Sequence, residues 1–592
     1  MKRCPECGRE YDNTMMFCLD DGAELLYGPA RSEPSASAGG QFDEPATAMF
    51  GVPPLGGSSS ESPTRGQIHT TDQTAIFQRG AEAEPRESLG GLSEKQSFSA
   101  NRAAKPLIGA VVSVVLLVGG FFGYRYFSAS GSKQINSIAV MPFENKNSDA
   151  DTDYLSDGLA ESVIFRLTQI PDLKVSPTSS VMRYKGKETD IAKIANELGV
   201  DAVMTGRLTK RGDNLNITVE LVDARTNKSL WGEQYERKLA ELLTTQREIV
   251  AEIVGKLQLK LSGESEQKLA KKYTDNNEAY QLYLQGRFHW NKRTEENIKK
   301  AIEQFKAAAD LDPNFALAYA GLADCYNILP FWSNVPSSEI LPQAKAYATR
   351  AVALDDSLGE AHISLAYANA LIWDWAAAEK EFRRGLELSP NYATGHKWYG
   401  QYLSDHGRVE ESLTEYGRAQ ELEPLSLMIN ANVAEAHLAK DDAAAAAEVC
   451  KRVIELDPNW YYAHQMLALS YVKQGRNAEA LAEAQKAVEL SKGNIFPLGT
   501  LGYVLAQIGK RSEALQIAEE LKAEHTKRRG NGFAIAWTYI GLDDKNEAFR
   551  WLEKDLEKRE ASLPEFLALY PFNTLRDEAR FKDLRKRMGL PE

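Results

Sequence analysis

The spacing of apolar positions divides the chain into three regions, and each region predicts a different architecture. An uninterrupted apolar run begins after Lys105 and ends before Arg125. Between 134 and 263, short β-branched runs alternate with stripes of helical period, which is typical of a sheet covered by helices. From 275 to 560 the helical period continues without strand patterns, so this region is predicted to be all-α.

The apolar run PLIGAVVSVVLLVGGFFGY predicts a transmembrane helix over 106–127. A helix of these uncharged residues would extend roughly 28 Å, about the thickness of one hydrocarbon core. The run lies too far into the chain for a cleaved signal peptide, so we interpret it as a retained anchor. A buried globular helix is the alternative. Gly119 and Gly123 have the GxxxG spacing that lets two such helices approach closely, which leaves a homodimer open.

Region 134–263 predicts two strands and two helices in alternation, then three strands and a closing helix. The helix over TDIAKIANELG is expected to end at Gly199, and turn signals at GDN and RTN separate three antiparallel strands. The segments SIAVMPF, YLSDGLAE, YKGK, ELGVDAVMTGRL and LVDARTNKSLW resemble the TolB N-terminal-like domain. This resemblance implies an α/β fold and no particular ligand. Asp157, Glu161 and Lys185 are a candidate polar site, and a helix cap with solvated surface is the simpler interpretation.

Proline recurs at one position of a 34-residue period, at Pro390, Pro424 and Pro458. Such a period predicts stacked helical hairpins. The residues eight positions before these prolines are the bulky Phe382, Tyr416 and Cys450, each between two small residues. A bulky side chain between small ones forms a helix face that another helix approaches closely. Cys450 is therefore predicted to be a core thiol.

This pattern resembles the tetratricopeptide repeat (TPR), which has two antiparallel helices per unit. The resemblance covers 275–560 and implies a concave groove for an extended or helical peptide, lined by the first helix of each unit. The side chains implied to face this groove are Ile363, Tyr367, Lys397, Gln401, Asp405, Glu435 and Gln465. Residues 561–592 are expected to cap the stack through Phe581, Leu584 and Met588.

Three histidines, His362, His396 and His464, occupy the same position in different units. Equivalent side chains of stacked units lie too far apart to share one ion at ligand distances near ~2 Å. We therefore expect these histidines to be packing residues and not metal ligands.

Residues 1–27 carry the pattern of a metal site. Cys4 and Cys7 have the C-x2-C spacing with which two thiolates bind one tetrahedral zinc ion, and Cys18 supplies a third thiolate. Asp21 stands where the fourth ligand belongs. The segments CPECG and FCLDDG resemble a bacterial zinc ribbon, which implies a structural zinc ion. A metal-free knuckle is the alternative, because a carboxylate is a harder ligand than a thiolate.

Composition narrows the function. The Gly-, Ser- and Pro-rich stretch 28–105 is predicted to be a disordered linker. The net charge of −13 argues against nucleic acid as a partner. The sequence contains no glycine loop followed by lysine, no HRD or DFG motif and no GxSxG motif, so we predict no enzymatic activity.

The predicted fold class is therefore multidomain: a small zinc ribbon, one transmembrane helix, an α/β TolB-like domain and an all-α TPR solenoid. Zinc thiolates are most secure in a reducing compartment, which places the N-terminus in the cytoplasm and the C-terminal bulk in the periplasm, across the inner membrane. The predicted function is a membrane-anchored scaffold that recruits a protein or peptide partner. The alternative is a transmembrane signalling or regulatory protein that couples the outer domains to the zinc ribbon.

Overall fold

The computed structural model describes residues 135–147, 150–187, 190–331, 335–491, 493–527 and 532–591, together with three short N-terminal strands. These strands are β1 (Lys2–Arg3), β2 (Glu10–Tyr11) and β3 (Leu26–Tyr27), and they pair antiparallel in the order β2-β1-β3. Cys4, Cys7, Cys18, Asp21, Gly119, Gly123 and the predicted linker and span lie outside the described residues. Within the described part of the chain, no helix has the length and apolar character needed to cross a membrane.

A mixed sheet with helices forms the domain that begins at residue 135. Its strands are β4 (Ser137–Val140), β5 (Glu144–Asn145), β6 (Lys174–Val175), β7 (Ala202–Arg211), β8 (Asn214–Asp223) and β9 (Lys228–Lys238). Its helices are α1 (Ala150–Thr168), α2 (Thr178–Met182), α3 (Ile191–Leu198) and α4 (Leu242–Lys256). The three antiparallel strands β7, β8 and β9 are confirmed, and the other predicted elements correspond to β4, α1, β6, α3 and α4, whereas β5 and α2 were not predicted.

The sheet has the strand order β6-β4-β7-β8-β9, and β4 runs parallel to both of its neighbours. Leu215, Ile217, Val219 and Leu221 of β8 are buried and alternate with more exposed residues, so this part of the sheet packs on one side only. Gly199 ends α3 at φ 62°, as predicted, because glycine adopts the left-handed conformation without a Cβ clash. The expected cap at Asp157 is wrong: α1 begins at Ala150, and Asp157 is buried in its middle.

Helical hairpins follow α5 (Gly263–Ala270) and stack into the repeat array. The first six hairpins are α6 (Asn277–Asn291) with α7 (Glu295–Leu311), α8 (Ala316–Ile328) with α9 (Ser337–Leu354), α10 (Gly359–Leu371) with α11 (Trp375–Leu388), α12 (Ala393–Asp405) with α13 (Val409–Leu422), α14 (Leu427–Ala439) with α15 (Ala443–Leu456), and α16 (Tyr461–Lys473) with α17 (Asn477–Leu490). Two further hairpins are α18 (Ile495–Gln507) with α19 (Arg511–Lys527) and α20 (Gly532–Gly541) with α21 (Lys545–Glu557).

The alternation of small and bulky residues explains how closely these helices approach. The Phe305 ring lies against Gly286 and Gly321, where an added Cβ would come within 2.5 and 2.7 Å of ring atoms. The Tyr416 ring lies against Gly400 in the same way, at 2.7 Å. Cys450 is 1% exposed in the equivalent slot, which confirms the prediction of a core thiol.

Residues 558–591, which we call the return segment, fold back along the array. They contain the short helix α22 (Leu563–Leu567), a 3-10 turn at Tyr570–Leu575, and α23 (Ala579–Arg587). Phe581, Leu584 and Met588 are buried, as a capping role requires. The segment also returns as far as the third hairpin. There, the indole of Trp375 on α11 donates a 2.7 Å hydrogen bond to the carbonyl of Met588.

The return segment contacts the first helices of successive hairpins. The Phe566 ring stacks on Phe533 of α20, Tyr570 packs edge-on against Tyr503 of α18, and the Asn573 amide donates to the carbonyl of Ala439 of α14. First helices line the concave side of a TPR stack, so the return segment occupies part of the surface that was predicted to bind a peptide.

Candidate functional site

The concave face of the array is the candidate site. Tyr367, the aromatic residue predicted to face it, stacks on Trp398. The Tyr367 ring lies parallel to the Trp398 ring, with centroids 4.3 Å apart and planes 4° apart. Ile363, one turn earlier on α10, is fully buried against Gly385 and Gly395. Tyr367 is 9% exposed, so α10 presents a largely closed apolar surface at this point.

Gln401 and Asp405, both on α12, bind each other. The Gln401 amide donates to Asp405 at 2.9 Å, and the Tyr416 hydroxyl donates to the Gln401 oxygen at 3.1 Å. Arg585 of the return segment donates to the backbone carbonyl of Asp405 at 3.0 Å. Burial raises the pKa of Asp405 well above its usual range, and the Glu565 carboxylate adds to that rise.

Glu435 and Gln465, on α14 and α16, are also enclosed. Glu435 accepts hydrogen bonds from the Tyr462 hydroxyl and, at 3.0 Å, from the Asn432 amide. Gln465 is 1% exposed, and its side-chain oxygen has no hydrogen-bond partner. Several of the predicted groove residues thus bind each other or neighbouring side chains, so these residues are not free for a ligand.

Lys397 is the one charged residue of the predicted groove without a side-chain partner in the described part of the chain, since it forms no ion pair with a carboxylate there. It interacts electrostatically with Glu423, Glu435 and Glu565, while the like charge of Arg293 adds to burial in lowering its pKa. Burial raises the pKa of Glu423 to about 7, although Arg293 and Lys397 oppose this rise. Burial also raises the pKa of Glu565 to about 7, and the Glu435 carboxylate contributes.

We give the name central channel to Lys397 and the four side chains that interact electrostatically with it, Arg293, Glu423, Glu435 and Glu565. Arg293 is exposed and Lys397 and Glu565 are partly exposed, so solvent reaches these three side chains, whereas Glu423 and Glu435 are buried. Three carboxylates face two cations there, which gives the channel an acidic balance when all are ionised. Sequence reasoning missed Glu423 and Glu565, since neither lies at a groove position of its repeat and Glu565 reaches the channel from the return segment.

The three equivalent histidines each bridge two helices of the array. Nδ1 of His362, His396 and His464 lies 2.6 Å from Glu381, Glu415 and Glu483, and Nε2 lies 3.0 Å from the carbonyls of Asp356, Pro390 and Pro458. An imidazole that meets an acceptor at both nitrogens donates twice, which requires the charged form. Burial alone would lower the pKa of His362 and His464, but these acceptors raise it. The described residues contain no group that could hold a metal ion.

The polar residues of α1 lie at the contact between the sheet domain and the array. Asp157 accepts from Lys185 at 2.6 Å, and burial raises the pKa of Asp157 despite that partner. Glu161 pairs with Arg287 of α6 at 2.5 Å and accepts from Asn291 at 2.7 Å. Asp157 and Glu161 are therefore buried contacts between elements and not solvated surface.

Comparison with family models supports two parts of this description. The model "HilA/YgeH-like transcriptional regulator, second domain" matches residues 133–252, and tetratricopeptide repeat models match residues 400–459 and 461–494. The array is thus a TPR array. The resemblance of the sheet domain to the TolB N-terminal-like domain stays a prediction.

Curated relatives match only part of the chain. "Putative adenylate cyclase 3" of Rhizobium meliloti is 32% identical over 239 residues, 40% of this chain and 40% of the relative. "Transcriptional regulator HilA" of Salmonella typhimurium is 22% identical over 294 residues, 49% of this chain and 51% of the relative. The chain therefore spans about half the length of these relatives or less.

Among solved structures, the PilF protein of Pseudomonas aeruginosa is similar to the chain at 21% identity and a TM-score of 0.29. The match covers 34% of this chain and 92% of PilF.

Proposed function

We propose that the chain is a scaffold that binds a basic segment of a protein partner in the central channel. The main observation is that Lys397 interacts electrostatically with Glu423, Glu435 and Glu565, and that none of these three carboxylates forms an ion pair within the described residues. Carboxylates that lack a paired cation in the fold attract a lysine or arginine side chain, because an opposite charge relieves the cost of burying them. Binding requires no catalytic step, so the proposal includes no enzymatic activity.

The return segment limits where such a partner enters. Because Phe566, Tyr570 and Asn573 cover the first helices of the C-terminal hairpins, a partner would reach the concave face where Lys397 and Glu565 are partly exposed. We propose that the predicted span 106–127 anchors this scaffold in the inner membrane and that the array lies outside the cytoplasm. A structural zinc ion in the N-terminal ribbon remains part of the proposal.

The test measures binding of fluorescent peptides to the purified full-length protein by anisotropy. A peptide containing lysine and arginine is expected to bind at least about tenfold more tightly than the same peptide with glutamate at those positions, and more weakly as salt increases. Glu423→Gln with Glu565→Gln should weaken binding of the basic peptide by a similar factor.

Glu421→Gln is the matched control, because Glu421 lies two residues before Glu423 in the last turn of α13 but is exposed and pairs with Arg418. It should leave the affinity unchanged. Equal affinity for the basic and acidic peptides, or an equal effect of the Glu421 and Glu423 substitutions, would refute the role of the channel.

A second candidate function is that of a regulator, and the domain match to HilA/YgeH-like transcriptional regulators favours it. In this version the sheet domain and array receive a signal, and the N-terminal ribbon transmits it across the membrane. It predicts that removal of residues 1–27 abolishes the cellular response to partner binding while peptide affinity stays the same. A cellular phenotype that survives this deletion unchanged would rule this version out.

A further inference from the structure

A cavity of about 80 Å³ lies where α1 of the sheet domain meets the first hairpins of the array. At ~10–15 Å³ for each water-sized group, it has room for roughly five to eight such groups. Its walls come from α1, α4, α6, α8 and the residues Tyr273, Glu360 and Tyr392. Lys397, Glu423 and Glu565 do not line it, so this cavity is separate from the central channel.

Arg166 lines the cavity as a buried guanidinium without an anion. It is 3% exposed, and its Nη1 donates to the carbonyls of Leu269 and Lys271 at 2.9 and 3.1 Å. Its Nε has no hydrogen-bond partner, and no described carboxylate forms an ion pair with it. Burial lowers the pKa of Arg166. Because a buried cation is costly unless it is paired, this arrangement points to an anionic group in the cavity.

Glu360, from α10, lines the same cavity as a carboxylate with one unused oxygen. Its Oε1 accepts from Gln169 at 3.2 Å and from Ser389 at 3.3 Å. Its Oε2 is buried and has no partner. Burial raises the pKa of Glu360, which an incoming cation would reverse.

The other charged groups of the cavity are already satisfied. Glu161 pairs with Arg287, and Asp324 accepts from the Ser364 hydroxyl at 2.5 Å. Tyr273 interacts electrostatically with both Glu360 and Arg166. Burial raises the pKa of Tyr273, Glu360 raises it further and Arg166 lowers it. The Arg166 guanidinium lies over the Tyr273 ring at 5.4 Å, so the cavity presents a guanidinium and a carboxylate that have no charged partner among the described residues.

We propose that this cavity binds a small zwitterion of the size of an α-amino acid, with its carboxylate on Arg166 and its ammonium group on Glu360. A purely anionic ligand would leave Glu360 unpaired, and a purely cationic one would leave Arg166 unpaired. Arg166 belongs to the sheet domain and Glu360 to the array, so the ligand contacts both and stabilises their junction. This site does not depend on peptide binding in the central channel.

The experiment is isothermal titration of the full-length protein with each free proteinogenic amino acid. At least one amino acid is expected to bind. Its deaminated and decarboxylated analogues, which keep one charge each, should bind at least about tenfold more weakly. Glu360→Gln retains an acceptor for Gln169 and Ser389 but removes the charge, and should weaken binding by at least about tenfold. Arg166→Met should do the same.

Glu421→Gln is the control, since it removes an exposed carboxylate that does not line the cavity, and it should bind the amino acid like the unmodified protein. If Arg166→Met does not fold, Glu360→Gln and the analogues still decide the outcome. Three results would overturn the proposal: binding of no amino acid, equal binding of the singly charged analogues, or an affinity unchanged by Glu360→Gln.

Discussion

The sheet domain and the return segment both share apolar cores with the repeat array, but they differ in the contacts that they add to them. The sheet domain uses polar side chains: Glu161 pairs with Arg287, and Asn391 donates to the carbonyls of Ile170 and Pro171 at 3.1 Å each. The return segment uses rings, of which Phe566 lies 3.6 Å from Phe533 between centroids. Apolar burial supplies most of the stability of a fold, while buried polar contacts fix its geometry.

This difference assigns different roles to the two contacts. The return segment packs on the array through buried rings such as Phe566, so we interpret it as a permanent part of the array. The junction with the sheet domain encloses a cavity with the unpaired Arg166 and the free oxygen of Glu360. A contact with unsatisfied polar groups is one that a ligand can strengthen.

The largest effect is expected from breaking the apolar contact. Phe566→Ala removes a ring that is 8% exposed and stacked on Phe533, and should lower the free energy of unfolding by about 3–5 kcal/mol. Denaturant titration with hydrogen exchange of α18 and α20 measures it. Phe331→Ala is the control, because Phe331 is 42% exposed and should change stability by at most about 0.5 kcal/mol. A Phe566 variant as stable as the control would show that the return segment is not part of the core.

A smaller effect is expected from breaking the polar contact. Arg287→Met leaves the Glu161 carboxylate buried without its cation, and should cost about 2–3 kcal/mol, since the pair is partly solvated. Adding Glu161→Gln removes the unpaired carboxylate charge and should restore most of the lost free energy of unfolding. Hydrogen exchange of α1 and α6 distinguishes the variants. Additive losses in the double variant would contradict the assignment of this pair as the central polar contact.

The repeat array was accessible to sequence reasoning because its determinants are local. Phe305, Tyr416 and Cys450 stand at fixed distances from prolines, and their small neighbours stand on helices adjacent in the sequence. The turn residues around Gly212 fixed the hairpin of β7 and β8 for the same reason. The 34-residue period indicates which residues face a neighbouring helix. In these units, that neighbour is the next helix along the chain.

The candidate sites depend on contacts between residues far apart in the sequence, which the 34-residue period does not predict. Arg585 meets Asp405 and Trp375 meets Met588 across more than half of the array. Arg166 directly precedes Leu167, a buried residue of the apolar stripe of α1. This neighbourhood was the one feature of the sequence that indicated burial of Arg166. The histidines were recognised as equivalent, but their glutamate partners 19 residues later were not, because a charged residue on a helix is usually solvated.

Glu423 belongs to the central channel and to neither contact, and the effect of its substitution is expected to depend on pH. The folded pKa of Glu423 is about 7, above that of an unfolded glutamate near ~4.3, so stability falls as pH rises from about 4.3 to 7 and is then constant. Glu423→Gln removes this loss and should stabilise the protein by about 1–2 kcal/mol at pH 8, with no gain near pH 4. Denaturant midpoints at both pH values measure the effect. A destabilised variant at pH 8 would mean that Glu423 has a cationic partner in the fold.

The smallest effect is expected along the array itself, away from both contacts, at the histidine bridges. His464→Asn copies the α14 unit, in which Asn430 donates to the carbonyl of Pro424 at 3.0 Å and Val449 stands in place of the glutamate. The folded pKa of His464 is raised, so its contribution is complete below the unfolded pKa of roughly 6.5 and disappears as pH rises through the folded pKa. The variant should therefore lose at most about 1 kcal/mol at pH 5 and less at pH 8. Asn430→His, which has no glutamate to bind, should gain nothing at either pH. A loss in the His464 variant that is equal at both pH values would show that the imidazole acts by its shape and not by its charge.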